Sequence, residues 1–595
     1  MIPFFHLKKR DFNQIIFKYY FSNKSNKINE NKVKIMVERQ YCFELKEVGA
    51  NLDKEHEVFN LMYLIDLFEQ FYPNEFHIKK AKKGRPIKYN PKELLTFLFW
   101  AKNNKRESYR ELEKWCENND ETCQLVLKCE KPSKTQLNRF KNNHMELIDK
   151  FDQFLIDFAM AIELIDGKIV YGDGTILKAW CNSFKNMYPY EINYLKKFLK
   201  NNVSNTELWN KLKRYFINED DDEKLKEELK EILNEFNYNL NSSGIHLLKL
   251  SLISSRNFKK VIERIQLMEE NITGENSISI IDPESRHMPD KKGKMGLNYN
   301  YQTVTDNKYG FRLVHYITNN TNDQKEIKRL ADMTTERIHT DNFIICVDNG
   351  YWNPDQLKEI LKSNTQVVIP DDADASRKKQ KIQNKNRSGK RQKQVNKEEK
   401  QKNKGKNKPK RIKKYQFKYI GKIDAFECPK TKKLFQVVDI VTLTGVKKKK
   451  YTCDYCISCK YKSECTSQYR RILYEHYDEN MEEIRRFYYS DEGQEIYFQR
   501  GHFAESSFAI LLESRNFRGI KTKGLKKAND ELTISEIHHN IKKLEKHTTN
   551  KFLKLILNKV KKYKKENQKI DFFCIEKFKG KFIIQNDVIT GIRGD

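Results

Sequence analysis

The stretch KIVYGDGTILKAW, residues 168–180, constrains the fold more than any other part of the chain. The β-branched and aromatic run Ile169-Val170-Tyr171 reads as a strand. It runs directly into Gly172-Asp173-Gly174-Thr175. A carboxylate at the end of a buried strand costs free energy unless something offsets its charge, so Asp173 either caps a turn or meets a cation. A second run has the same build: NFIICVD ends in Asp348 and is followed by Asn349-Gly350-Tyr351. Three more strands are predicted from NYNYQTVTD, FRLVHYIT and TQVVIP. DQKEIKRLADMTTERI and NPDQLKEILKSN read as helices, each opening with an acid near its N-terminus. This alternation predicts an α/β domain. In open α/β sheets, polar groups at the carboxyl ends of strands face a common crevice. If the two strands are neighbours, Asp173 and Asp348 point into one site. Two close anions repel, and one takes up a proton unless a divalent cation sits between them. Mg²⁺ prefers one or two carboxylates with water and phosphate oxygens, which is the apparatus of two-metal phosphoryl transfer. The bland alternative is two separate turn caps. Asn319, Asn320 and Asp323 lie in a strand-to-helix loop, where capping explains them.

Charge points the same way. A net charge of +32 and a pI near 9.4 call for a polyanionic partner. Nucleic acid is the usual one and an anionic membrane surface the rival. Ser376–Lys414 holds 19 Lys/Arg against two Glu, and the remaining chain still carries +15, so the basicity is not confined to one segment. Abundant Lys, Asn and Ile also suit an AT-rich genome. Lysines without interleaved aromatics would hold phosphates non-specifically, with strong salt dependence, or would form a solvated linker. Neither a G-x-x-x-x-G-K-[ST] loop nor a G-x-G-x-x-G is present, so no nucleotide cofactor is indicated. The N-terminus lacks a signal-peptide run, and the longest apolar stretch, LLTFLFWA, is too short to span a bilayer. A cytoplasmic chain with no membrane partner is expected.

Composition divides the chain. Residues 1–54 read as an N-terminal extension, with Met36 an alternative start. Residues 55–160 read as an all-α DNA-binding domain: VFNLMYLIDLFEQFY and PKELLTFLFWAKNN repeat apolar residues at helical spacing, with GRPIKYNP as a turn-rich connector. Ser108 and Ser133 are candidate N-caps, Ser108 with Glu111 in the capping-box position. Short helices with a basic last member, which carries Arg139, suit a helix-turn-helix reader or a solvated basic face. The catalytic domain begins in 161–370, with a charged helical insertion at 190–270. Residues 371–480 hold the Lys-rich linker 376–414 and a β unit bearing the cysteines of 428–465. Residues 481–563 are helical and return to the catalytic domain, and 564–595 form a tail.

A third carboxylate would complete the site. Glu505 lies on a helix whose Phe503, Phe508, Leu511 and Leu512 pack inward, with Glu513 as competitor. The order Asp173, Asp348, Glu505 in these surroundings resembles the DDE transposases of prokaryotic insertion sequences, in the subgroup with a long cysteine-bearing insertion before the last Glu. The resemblance runs over roughly 55–545. It includes VYGDGTILKAWCN, IIDPESRHM, GLNYNYQTVTDN and CVDNGYW in order. It ends in the block RGHFAESSFAILLESRNFRGIKTKGLKKANDELTISEIHHNIKKL, with its final His-Asn before an amphipathic helix. The resemblance implies an RNase H-like catalytic domain that binds two Mg²⁺ (or Mn²⁺) ions through Asp173, Asp348 and Glu505. It further implies double-stranded DNA partners, both transposon ends with inverted repeats and target. Hydrolytic nicking would be followed by attack of the freed 3′-hydroxyl, within a homodimeric synaptic complex at the nucleoid. Tyr497 and Arg500 would contact the backbone near the cleaved end. One departure is Leu512, where the related pattern places a Lys; Lys521 or Lys523 would supply that contact. A nuclease using the same acids, and an inert DNA-binding derivative, are the alternatives.

Twelve cysteines in a reducing compartment point to free thiols or metal ligands. Cys453, Cys456, Cys459 and Cys465 form C-x2-C-x2-C-x5-C, which suits a structural Zn²⁺. Four ligands within 13 residues are sterically tight, so Cys428 is a candidate to replace one. Reduced thiols and an iron–sulfur cluster stay open, although the last gap is longer than in the ferredoxin run. The scattered cysteines 42, 116, 123, 129, 181, 346 and 574 read as buried small apolar residues.

Overall fold

A computed structural model describes residues 52–76, 89–371 and 411–592, apart from 119, 129, 182–184, 275, 291–292, 510, 512–516, 518, 568–570 and 578–580 and the side chains of 505–507, 567 and 573. Met36, Cys42, Cys129, Leu512, Glu513, most of GRPIKYNP and the Lys-rich run to 410 lie outside the described residues.

The chain divides into two compact units, residues 1–65 with 76–142 and residues 66–75 with 143–595. The helix Glu57–Phe71 (α1) carries residues of both. In the first unit, Pro91–Asn103 (α2) is buried from Leu94 to Ala101. Asn90 caps it by accepting from the Lys92 amide at 2.9 Å, with Pro91 in the first turn. Tyr109–Glu117 (α3) opens on the expected Ser108–Glu111 capping box. Sequence periodicity missed Glu121–Leu127 (α4), a helix of two turns fixed by its cap: Asp120 accepts from Thr122 and Cys123 at 3.0 and 3.1 Å. Lys134–Asn143 (α5) buries Leu137 and Phe140 and exposes Arg139.

The second unit is mixed α/β. Met145–Ala161 (α6) leads into β1, Ile169–Lys178. An antiparallel pair, Asn186–Met187 (β2) with Ile278–Ser279 (β3), closes the base of the helical insertion. The insertion folds as five helices: Pro189–Asn201 (α7), Thr206–Phe216 (α8), Glu223–Asn239 (α9), Ser242–Ile253 (α10) and Ser255–Asn271 (α11). They share their own apolar core, and buried Glu191 ties α7 to α10 by accepting from the Asn241 backbone at 2.6 Å.

Then come Arg286–Pro289 (β4), Met295–Asp306 (β5), Arg312–Thr318 (β6), Ile327–Ile338 (α12), Ile344–Cys346 (β7), Pro354–Ile360 (α13) and Gln366–Val368 (β8). The sheet order is β4-β5-β1-β7-β8, with β6 also on β5. β1 runs antiparallel to β5 and parallel to β7, and β7 runs parallel to β8. Every residue of β6 is buried. Its outer edge would leave peptide groups unpaired. The helix Leu525–His547, numbered below as α18, covers it. Asn540 accepts from the Arg312 amide (2.8 Å) and donates to the Arg312 carbonyl (2.9 Å), while Asn529 accepts from Ile317 (2.9 Å). Arg312 is itself buried, paired to Glu536 at 3.0 Å.

The cysteine-bearing region is a second sheet of five strands: Lys418–Ile420 (β9), Ala425–Glu427 (β10), Leu434–Leu443 (β11), Val446–Thr452 (β12) and Leu473–His476 (β13), with Lys462–Cys465 (α14) before the last. Lys449 fastens it to Glu482–Tyr489 (α15) through Glu482 at 2.6 Å. Gly493 opens Asp491–Arg500 (α16) where a Cβ would lie 2.0 Å from the Phe487 carbonyl, so this elbow requires glycine. A π-helical turn, Gly501–Glu505, follows, then Ser506–Ala509 (α17) and α18.

Candidate active site

Asp173 does not end its strand. β1 continues to Lys178, and Asp173 sits mid-strand, opposite Thr303 of β5. It lies just beyond the last residue paired with β7, Tyr171 opposite Cys346. The expectation of a strand-end carboxylate is thus corrected, because pairing with β5 carries β1 past the point where β7 stops. Asp348 does follow the end of β7 and caps the short turn Asn349–Tyr351, its Oδ1 accepting from Gly350 at 2.7 Å. The two strands are neighbours, as the shared-site reading requires.

The flanking glycines have separate causes. A Cβ on Gly172 would lie 2.8 Å from Val347 and 3.3 Å from Leu330. A Cβ on Gly174 would lie 2.6 Å from Gln302 Nε2 and 2.9 Å from Asp323 Oδ1. Side chains alternate along a strand, so both glycines leave one face of β1 open to close packing, and Asp173 projects from the other. On that glycine face, Asn300 and Gln302 donate to Asp323 Oδ1 at 2.7 and 2.6 Å, and Tyr351 donates to Gln302. Capping therefore does not account for Asp323: its carboxylate anchors the loop to β5. The sequence did carry a signal, since Asn298, Asn300 and Gln302 recur at every second position of a buried strand.

On the opposite face, Tyr171 stacks on Phe503 at 5.1 Å and 5°. Ala504 packs with Tyr171, Cys346 and Val368. The π-turn thus lies against β1, and Glu505 is its last residue; the Glu505 side chain is outside the described residues. Arg500, at the end of α16, places Nη1 3.4 Å from Asp173 Oδ2 and its guanidinium 5.9 Å from the Tyr497 ring. Burial pushes the Asp173 carboxyl up to about 6; Arg500 works against this, and Asp348 and Asp323 add to it. Burial disfavours the Arg500 charge, and Asp173 and Asp348 more than restore it. Burial likewise raises Asp323, against the pull of Asn300 and Gln302. Asp173, Asp348, Arg500 and the backbone of Glu505 are thereby gathered at one place. Among the described residues, no three His, Cys, Asp or Glu side chains are drawn together closely enough to hold a metal ion.

The remaining expected DNA contacts lie elsewhere. Lys521 and Lys523 are exposed in the loop before α18. That loop is tied to the far end of β1, where Ile520 donates to the Lys178 carbonyl at 2.9 Å. At the Tyr171 end, a cavity of about 380 Å³ is lined by Lys308, Lys543, Lys546, His502, His539 and His547 among others. Sequence reasoning missed it because its residues come from the β5–β6 turn, the π-turn and α18. Arg139 belongs to the first unit.

Residues 427–545 match the family described as Transposase DDE domain. This match supports a DDE transposase. The matched segment covers about a fifth of the chain and contains Tyr497, Arg500, Glu505 and all five clustered cysteines; Asp173 and Asp348 lie upstream of it. No curated protein and no solved structure matches the chain. Among the described residues, no helix is long and apolar enough to cross a membrane.

Proposed function

We propose that the chain is a DDE-type DNA transposase with an RNase H-like catalytic domain, in which Asp173, Asp348 and Glu505 hold two Mg²⁺ (or Mn²⁺) ions. One observation carries this reading. The transposase-like segment folds back so that its Arg500 meets Asp173, a carboxylate outside that segment, on the strand beside Asp348. The antiparallel trio β6-β5-β1, continued by parallel β7 and β8, supports the RNase H-like assignment.

The donor set fits hard divalent cations. Asp173 is a buried carboxylate whose charge is now offset by an arginine, and Asp348 supplies a second oxygen donor from the adjacent strand. Bound there, such ions would supply Lewis acidity to the attacking and leaving oxygens of an in-line displacement. Asp173 is ionised above about pH 6, which readies it as a ligand. Tyr497 and Arg500 hold the DNA backbone beside it. Lys308, Lys543 and Lys546 at one end of β1, with Lys521 and Lys523 at the other, flank a path of roughly 23 Å with Asp173 part-way along. A DNA strand lying on that path has phosphate contacts on both sides of the scissile bond. Water attack forms a new P–O bond and expels the 3′-oxygen as a hydroxyl. That hydroxyl then attacks a target phosphodiester, forming a new P–O bond and expelling the target's 3′-oxygen as a hydroxyl; in this second step one diester replaces another, so no nucleotide cofactor is consumed. Arg139 and α5 contribute to end recognition, and two copies of the chain bring two ends together.

The test is a duplex carrying the DNA that flanks the gene, incubated with protein and Mg²⁺. Wild type is expected to cleave at the element end, while Asp348→Asn binds the same duplex without cleaving. Equal cleavage by both proteins would contradict the site.

A further inference from the structure

We propose that the cavity at the Tyr171 end of β1 receives a phosphomonoester, the 5′-phosphate of a cleaved DNA strand; that the strand is DNA rests on the transposase reading. Three separate segments build the cavity. The β5–β6 turn brings Lys308, Tyr309 and Gly310, and the end of α18 brings Lys543, Lys546 and His547. Asp587 comes from the turn between Phe582–Gln585 (β14) and Val588–Ile592 (β15). Histidines fix the walls. His539 Nε2 donates to the Gly310 carbonyl and His547 Nδ1 to the Asp587 carbonyl, each at 2.9 Å. The His547 ring lies 4.1 Å from that of Tyr309. Gly310 has a φ of +75°, and a Cβ there would stand 3.2 Å from the Lys543 ammonium, so glycine both makes the turn and admits the lysine.

Charge and shape select the ligand. Among the lining residues three lysines stand against one carboxylate, Asp587, which leaves a surplus of two positive charges with the histidines neutral. Lys308 donates to the Glu163 carbonyl at 2.5 Å, a neutral partner that leaves its charge in place. A phosphomonoester carries about −1.5 to −2 near pH 7 and offers three terminal oxygens, whereas each phosphodiester of a DNA strand carries a single negative charge. An internal phosphodiester is tethered on both sides and meets a protein at its surface. A terminal phosphate is tethered on one side, so it can enter a recess. At about 380 Å³ the cavity has room for the end nucleotide as well, and Tyr309 offers a ring against which its base can stack.

The cavity shares a wall with the acids. Its Thr305 is paired with Tyr171, and its Phe503 stacks on Tyr171 and belongs to the π-turn that ends in Glu505. Asp173 is two residues further along β1, roughly 7 Å. In the hydrolytic step the water oxygen bonds to phosphorus and the bond from phosphorus to the 3′-oxygen breaks. One proton of the water ends on the 3′-oxygen and the other goes to solvent. The phosphate stays on the 5′ end of the flanking strand. A diester has thus become a monoester of higher charge, and the lysines hold the product more tightly than the substrate. Moving the new 5′ end into the cavity takes it off the acids and leaves room there for the target phosphodiester.

The experiment uses the full chain without divalent metal and two duplexes of one sequence, the cleaved flank with a 5′-phosphate and the same flank with a 5′-hydroxyl, read by fluorescence anisotropy. Wild type is expected to bind the phosphorylated end about tenfold more tightly or better. Lys543→Gln combined with Lys546→Gln should abolish the difference. Lys546→Gln alone, at an exposed position where folding is not at stake, should lose part of it. Equal affinity of wild type for both ends overturns the proposal. So does a preference that the double variant retains, or one that a phosphate placed on the 3′ end reproduces. Failure of wild type to bind either duplex would instead overturn the transposase reading, and the proposal with it.

Discussion

The surroundings of Asp173 and the cysteine-bearing sheet both gather reactive side chains, and they do so by opposite routes. Around Asp173 the groups come from positions 173, 348 and 500, brought together by strand pairing and by the return of α16. In the second sheet, four of the five thiols lie within thirteen residues. The energetics differ as well. Asp173 is a buried charge that the fold tolerates through Arg500. The thiols sit among aromatic rings and help to build the core. One region concentrates electrostatic cost at a buried acid, whereas the other packs its thiols into the core of a sheet. Neutralising an acid should therefore remove activity and spare the fold, while removing a thiol should loosen the sheet.

The sharpest break between the two regions is at Glu505. Glu505→Gln is expected to lower DNA cleavage by on the order of 10³-fold or more, with the melting temperature unchanged. Gel quantification of cleaved ends beside a thermal melt checks both parts, and a melt that falls with the activity would make Glu505 structural.

Proton competition comes next. The Asp173 carboxyl is raised from an ordinary 3.8 to about 6. Below 3.8 it is protonated in both folded and unfolded chains. Between 3.8 and about 6 the unfolded chain has lost its proton and the folded chain keeps it, so metal-free protein loses stability as pH rises through that window. A divalent ion needs the ionised form. Stabilisation by Mg²⁺ in thermal melts should thus grow with pH and level off above about 6, with apparent affinity falling by up to about tenfold per unit below it. Asp173→Asn should raise the metal-free melting temperature at pH 7.5 and abolish the Mg²⁺ response.

Asp323 tests the glycine face. Asp323→Asn turns an acceptor that receives two amides into a side chain that must donate as well, which loosens the β6–α12 loop that lies within electrostatic reach of Asp348. Cleavage should fall by about 10- to 100-fold without a change in DNA affinity, measured by single-turnover kinetics beside binding. Asn540→Ala strips the partners of the Arg312 amide and carbonyl and should cost about 1–3 kcal/mol in denaturant unfolding. The smallest effect is expected at the basic cavity. Lys543→Ala and Lys546→Ala should each reduce the slope of log K against log salt by about 1, with little change at low salt.

How much the sequence disclosed follows from the same contrast. Five of the six strands of the first sheet were legible because β-branched and aromatic runs stood between Gly, Asn and Asp; β4, Arg286-His287-Met288-Pro289, has no such run and was not. The acids were legible because both interrupt such runs. That β1 extends past Asp173 was not legible: Gly172-Asp173-Gly174 has poor strand propensity, and only pairing with Tyr299–Asp306 of β5 keeps it extended. The Asn540 brace and the basic cavity were hidden for a related reason, since their partners lie more than two hundred positions apart along the chain. The α4 helix escaped because two turns give periodicity little to work with, and its Asp120 cap was the better signal. In the cysteine sheet the spacing announced a cluster, but the place of Cys428 depends on the hairpin that carries it there.

The most direct test combines labelled element-end DNA, a supercoiled plasmid target and Mg²⁺ with wild type and Asp173→Asn. Joined end–plasmid product from wild type alone is the predicted result. Binding without cleavage or joining by wild type, or equal product from both proteins, would contradict the account.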